Sequence, residues 1–177
     1  MPSGPTIWSD ATWAPDYGTY YDNYRSTSGI AVSGNSDGSN LLSWNANRQP
    51  IVALSSSESE WYAAAEAAKD AAYVKDLFQN FGLPNQNPTT LFCDNQSTIK
   101  QSMNKIDARN SRHIGMRAHY LRFQCHSGRL HLQFIPSQEQ LADAMTKLLP
   151  MPTHEKLRKS MGVMRRSEFM PVSVTSH

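Results

Sequence analysis

The sequence predicts an α/β domain, a mixed sheet with helices packed on it. Three observations carry this. Strand-like runs and turn residues fill the first third of the chain. A long helical stretch follows, from about Ser56 to Phe81. After it, short strands alternate with helices.

Thr6 to Trp8 reads as a strand leading into Asp10, and Ala14 to Ser28, polar and Tyr-rich, as a loop. Gly29 to Ser33 is a short β-like run, and Asn35-Ser36-Asp37-Gly38-Ser39-Asn40 is turn chemistry. Leu41 to Trp44 and Ile51 to Leu54 are further strand candidates. The long helix starts at two overlapping capping-box patterns, Ser55-x-x-Glu58 and Ser57-x-x-Glu60, and ends at Gly82-Leu83-Pro84. Thr89 to Cys93 is a strand, Asn95 to Ser102 a short helix, and His113 to Cys125 a longer one. Leu130 to Ile135 alternates like a strand. Pro136-Ser137 caps a helix from about Gln138 to Thr146. Pro150 and Pro152 break the chain, Thr153 to Val163 forms one more helix, and Met164 to His177 a loose tail.

With 177 residues the chain is long enough for one domain with a real core. No apolar run is long enough for a membrane span, and Met1-Pro2-Ser3-Gly4-Pro5 has no signal-like character, so no membrane partner is expected. Two cysteines, Cys93 and Cys125, make neither a disulfide framework nor a zinc site, which suggests a reducing, intracellular setting. The net charge of +2 is uneven: residues 1–70 carry a net −5 and the remainder +7. Between Asn95 and Arg129, seven Lys and Arg face only Asp107, which suits a polyanion, or simply a solvated surface.

Four carboxylates stand out: Asp10 after a strand, Glu60 in the first turns of the long helix, Asp94 after a strand, and Asp143 near the start of a late helix. Delivered to one end of a sheet, they would hold two Mg²⁺ or Mn²⁺ ions, which prefer oxygen ligands and can drive phosphodiester hydrolysis. Glu58 competes with Glu60. Stepping by three and four from Glu60 reaches Ala64, Ala67, Ala71, Val74 and Phe78, an apolar stripe. The same steps from Glu58 reach Tyr62, Ala65, Lys69 and Asp76, a mixed face. Glu60 therefore faces the sheet, where an acid is costly without a cation. Each acid also has a plain reading: helix capping for Glu60 and Asp94, a turn for Asp10, dipole stabilisation for Asp143.

Several motifs occur in one order: Trp8-Ser9-Asp10-Ala11-Thr12-Trp13-Ala14, Arg25-Ser26-Thr27-Ser28-Gly29, Leu42-Ser43-Trp44 with Arg48-Gln49-Pro50, and Val52 to Trp61. Cys93-Asp94-Asn95-Gln96-Ser97, Ser111-Arg112-His113-Ile114 with Arg117 and His119, and Gln140 to Lys147 complete the set. In this order they resemble the ribonuclease H domain of copia-type (Pseudoviridae, Ty1/copia) LTR retrotransposon Pol polyproteins. The resemblance covers about residues 7 to 163.

It implies a ribonuclease H-like fold with a mixed five-stranded sheet flanked by helices. Residues 1–150 would form the ribonuclease H domain and residues 151–177 a C-terminal helix and loose tail. The implied activity is metal-dependent cleavage of the RNA strand of RNA–DNA hybrids during reverse transcription. Asp10, Glu60, Asp94 and Asp143 would act as catalytic residues and hold two Mg²⁺ (or Mn²⁺) ions. Asn95, Gln96 and Ser97 are candidates for contacts to 2′-hydroxyls, and Arg112, His113, Arg117 and Arg122 for phosphates. Implied partners are the hybrid and the reverse transcriptase domain of the same polyprotein, in a cytoplasmic retrotransposon particle or the nucleus.

Two departures stand out. Thr12 replaces an acid of the family pattern, and the stretch before Asp143, Phe134 to Glu139, lacks the His that many ribonucleases H place there. Proton transfer would fall to solvent, Glu139 or another group such as His113. A different class stays open: a non-catalytic nucleic-acid-binding or interaction module, co-opted or decayed from such an element. An integrase-like domain is a third reading, disfavoured by the Cys93 to Ser97 and Gln140 to Asp143 motifs.

Overall fold

The computed structural model describes residues 4–13, 24–83, 87–103 and 115–168. Its centre is a five-stranded sheet of β1 (Thr6–Thr12), β2 (Thr27–Ser33), β3 (Leu41–Arg48), β4 (Thr89–Cys93) and β5 (Leu130–Phe134), in the order β3-β2-β1-β4-β5. The first three strands pair antiparallel, while β4 joins β1, and β5 joins β4, in parallel. The mixture follows from the connections. β2 and β3 are joined by the short loop of residues 34–40, whereas β4 is reached through helix α1 (Ser56–Asn80) and β5 through α2 (Gln96–Met103) and α3 (Gly115–His126). Two short helices close the fold, α4 (Asp143–Thr146) and α5 (Met151–Ser160).

Period-two alternation along the strands gives the sheet two buried faces. Ile7, Ile30, Val32, Leu91 and Leu132 pack against α1 and α3. The α1 side of that core is mostly alanine (Ala64, Ala67, Ala68, Ala71), so the helix lies close to the strands. Trp8 and Ala31 point to the other face, where Leu141, Ala142, Leu157 and Met161 cover them. Asp10, two residues after Trp8, belongs to this second face.

The long helix begins as the capping pattern predicts. Ser55 Oγ accepts from Glu58 N at 3.1 Å, and Glu58 Oε2 accepts from Leu54 N at 2.7 Å. It ends where Gly82 takes φ of 71° and Leu83 N donates back to Phe78 O.

Several expectations change. Ile51 to Leu54 is not a strand. Ala53 O accepts from the Trp13 indole, and Leu54 N serves the Glu58 cap, so this backbone is committed before it could join a ladder. β3 instead runs on to Arg48, paired along β2. The helix expected from Gln138 to Thr146 is two pieces, a 3-10 turn at Ser137–Glu139 and α4. Gln140 between them is fully buried, its amide spent on neighbouring backbone.

The chain after Pro150 is bound to the fold as far as residue 168. Pro150 caps α5 and Pro152 sits in its first turn, where a missing N–H costs nothing. Leu157 and Met161 enter the core, and Arg158 pairs with Glu155 and Glu168. Residues 169–177, the rest of the expected tail, lie outside the described residues. Among the described residues no helix is long and apolar enough to cross a membrane.

Candidate active site

Parallel pairing of β1 with β4 brings Asp10 and Asp94 to the same end of the sheet, because Trp8 is level with Phe92. The first turns of α1 lie over this end, where Glu60 Oε1 accepts from Ala11 N at 3.3 Å. α4 brings Asp143 from the opposite face. Carboxylate oxygens of Asp10, Asp94 and Asp143 lie within 4.8 Å of one another, and Glu60, Asp94 and the Cys93 thiol form a second group of the same size. Asp94 belongs to both groups, so the structure gathers all four acids. Glu58 is spent on its cap, and Glu60, through Ala11, is bonded to a strand and not to the helix end.

Asp94 does not cap α2. Asn95 does, its Oδ1 accepting from Ser97 N and Thr98 N at 2.9 and 3.1 Å, which leaves the Asp94 carboxylate free to face its neighbours. Ser137 Oγ donates to Asp94 Oδ2 at 2.8 Å, and the Thr146 hydroxyl donates to Asp10 Oδ2. Thr12 Oγ1 donates to Thr146 O at 2.8 Å and ties the end of β1 to α4.

Two buried glutamines hold backbone beside the acids. Gln140 Nε2 donates to Ser9 O, next to Asp10, and Gln49 Nε2 donates to Ser59 O, next to Glu60.

Gly29 lies level with Asp10 on the neighbouring strand, and α4 rests directly on it. A Cβ there would stand 2.6 Å from Thr146 Cγ2, 2.8 Å from Ala142 O and 2.9 Å from Met145 Cβ. Gly29→Ala is therefore expected to lift α4, costing about 1–3 kcal/mol of stability and weakening any metal-induced stabilisation. Melting curves with and without Mg²⁺ check this. Adding Thr146→Ser removes the nearest methyl, keeps the hydroxyl, and should recover part of the loss. A Gly29→Ala protein that melts and responds to metal like the wild type would contradict the close packing.

Burial makes the cluster electrostatically tense. Desolvation, then the charges of Asp10 and Asp94, push Glu60 up to about 9. Desolvation also raises Asp143 to about 6, and raises Asp10 despite the Thr146 bond and the Lys147 charge. Among the described residues Glu60 Oε2 is buried without a hydrogen-bond partner, beside a cluster of other carboxylates. Lys147 Nζ lies 2.7 Å from Asp143 Oδ1 and 3.4 Å from Asp10 Oδ1. Burial and the nearby carboxylates raise the Cys93 thiol, so it stays protonated beside them.

The expected nucleic-acid contacts divide. Gln96 and Ser97 are exposed beside Asp94, while the Asn95 carbonyl oxygen is committed to its cap. Arg117 lies 4.3 Å over the Tyr62 ring, with Nε 3.7 Å from Glu66. Arg122 is buried: its Nε donates to Gln101 O and its guanidinium sits over Trp61. It joins α3 to α2 and is not presented to a phosphate. Helical phase puts it on the inner side of α3 beside Ala118 and Leu121, a signal that counting basic residues passes over. Arg112 and His113 lie outside the described residues. Sequence reasoning also missed the support that Ser137, Thr146, Lys147, Gln49, Gln140 and Gly29 provide. Only Lys147, one helical turn beyond Asp143, had a local signal.

No family model matches the chain. Among curated proteins it is similar to the retrovirus-related Pol polyprotein from transposon RE2 of Arabidopsis thaliana, 29% identical over 158 residues, covering 89% of this chain and 10% of the polyprotein. The corresponding polyprotein from transposon TNT 1-94 of Nicotiana tabacum is 32% identical over 158 residues, covering 88% of this chain and 11% of its own length. The chain thus spans about a tenth of the length of these relatives. Among solved structures, the N-terminal RNase H domain of rv2228c from Mycobacterium tuberculosis matches with a TM-score of 0.54 and 13% identity, covering 89% of this chain and 98% of that one. LC11-RNase H1 in complex with an RNA/DNA hybrid matches with a TM-score of 0.51 and 13% identity, covering 80% and 92%. At such identities the likeness is one of fold.

Proposed function

We propose that this chain, a homologue of the Pol polyproteins of copia-type transposons built on the ribonuclease H fold, hydrolyses the RNA strand of RNA–DNA hybrids in a metal-dependent reaction. The supporting observation is the meeting of Asp10, Glu60, Asp94 and Asp143 at one end of the sheet, with a buried Glu60 oxygen that has no hydrogen-bond partner among the described residues. The donor set fits Mg²⁺ or Mn²⁺: all four side chains offer hard oxygens, and the adjacent Cys93 is held as a neutral thiol. Two such ions, when bound, activate a water and stabilise the departing 3′ oxygen.

The chain's own residues supply order. Thr146 and Ser137 fix the orientation of Asp10 and Asp94 by donating to one oxygen of each. Gln49 and Gln140 hold the backbone that carries Glu60 and Asp10. Gln96 and Ser97, exposed beside Asp94, are the proposed contacts to 2′-hydroxyls, the group that separates RNA from DNA. The reverse transcriptase domain of the same polyprotein is the proposed partner, since the chain matches only about a tenth of its relatives.

The test is cleavage of an end-labelled RNA–DNA hybrid in Mg²⁺, in Mn²⁺ and in EDTA, beside RNA–RNA and DNA–DNA duplexes. Hybrid-only cutting that requires metal and leaves 3′-hydroxyl ends is expected. Metal-dependent cutting of all three duplexes would overturn hybrid specificity. Hybrid binding with no cutting, even with the polyprotein's polymerase domain added, would favour the non-catalytic module.

A further inference from the structure

We propose that Lys147 is a tethered counter-ion, lodged between Asp10 and Asp143, that a metal ion must displace to bind at that edge of the site. The inference rests on the reading of the four acids as metal ligands. Lys147 follows Asp143 by one helical turn, at the point where α4 ends and the backbone becomes extended. From the rim its side chain, 36% exposed, reaches inward and bridges an oxygen of each carboxylate. Among the described residues, the ion pairs at the site fall on Asp10 and Asp143, and none falls on Glu60 or Asp94.

The two edges of the cluster are therefore unequal. At Glu60 and Asp94 the described residues supply no cation, and one Glu60 oxygen has no hydrogen-bond partner among them. At Asp10 and Asp143 a cation is already supplied by the chain. An ammonium and a divalent ion cannot occupy the same pair of oxygens, so binding at the second edge includes the loss of both Lys147 contacts. Lys147 stabilises the metal-free protein and raises the ion concentration the site requires. Released, its ammonium stays within one side-chain length of the carboxylates and faces a polyanionic substrate.

The test is the Mg²⁺ and Mn²⁺ concentration at the midpoint of the melting-temperature rise, read on the full chain and repeated by titration calorimetry. Lys147→Met keeps the apolar stem and removes the charge. It is expected to melt lower without metal and to reach its midpoint at roughly tenfold less ion, the scale of one charged hydrogen bond at a half-buried position. Lys147→Gln should behave likewise and serves if the Met variant fails to fold. Lys147→Arg should stay near the wild type. Lys156→Met, a charge removed on α5 outside the acid cluster, should leave the midpoint unchanged. Midpoints for Lys147→Met and Lys147→Gln at or above the wild-type value would overturn the proposal, as would an equal shift in Lys156→Met. A wild type with no metal response at all would overturn the metal reading itself, a distinct result.

Discussion

Asp94→Asn is expected to lower hybrid cleavage by about a thousandfold or more without unfolding the protein. Asp94 is the one acid common to both groups of clustered ligand atoms, so its charge serves both edges of the site. Asn keeps the shape and can still accept from Ser137 Oγ. The cap of α2 is unaffected because Asn95 provides it. Losing one of several crowded carboxylates also relieves repulsion with Asp10 and Glu60. The variant should thus melt no lower than the wild type in EDTA and gain less from Mg²⁺. Single-turnover cleavage and paired melting curves check both. A variant keeping more than about a tenth of the wild-type rate would remove Asp94 from the reaction, since even a modest catalytic contact contributes more than that.

Glu60→Gln is expected to stabilise the metal-free protein at neutral and higher pH while abolishing its stabilisation by metal. Glu60 titrates at about 9 in the fold against an ordinary 4.5. Between those values the folded state holds a proton that the unfolded chain releases, so stability falls as pH rises through the window. Asp143, raised to about 6, adds to the slope at its lower end. In EDTA the wild-type melting temperature should fall from pH 5 to pH 9.

Gln at position 60 still accepts from Ala11 N, carries no charge, and can donate toward the acids where Oε2 was orphaned. Its curve should be flatter and lie about 3–6 °C above the wild type by pH 8, the shift expected for one to two kcal/mol in a protein of this size. With millimolar Mg²⁺ the order reverses, because the wild type gains a cation and the variant does not. A Glu60→Gln protein that melts at or below the wild type in EDTA at pH 8 to 9 would refute this account. Absence of any metal-induced rise in the wild type would count against the whole site.

Much of this fold was legible because its signals are local. Capping at Ser55 and Glu58, the Gly82 stop, the strand from Thr89 to Cys93 and the alternation from Leu130 arise from residues within a few positions of each other. The choice of Glu60 over Glu58 was legible too, since helical phase alone turns one toward the sheet. Recognition of a motif order named the other acids. None of this placed them at a common centre: parallel pairing of β1 with β4, and α4 seated on Gly29, did that.

The sequence by itself determined most of the elements and the mixed sheet, because backbone propensity and side-chain period act over one or two turns. Tertiary structure alone decided what contacts what. It denied Ile51 to Leu54 a strand by spending their backbone on Trp13 and Glu58, split the helix predicted from Gln138 to Thr146 at a buried Gln140, sank Arg122 beneath α2, and set Lys147 between two carboxylates. Such contacts join residues up to 137 positions apart. Their energies depend on burial and distance, which no short stretch of sequence carries.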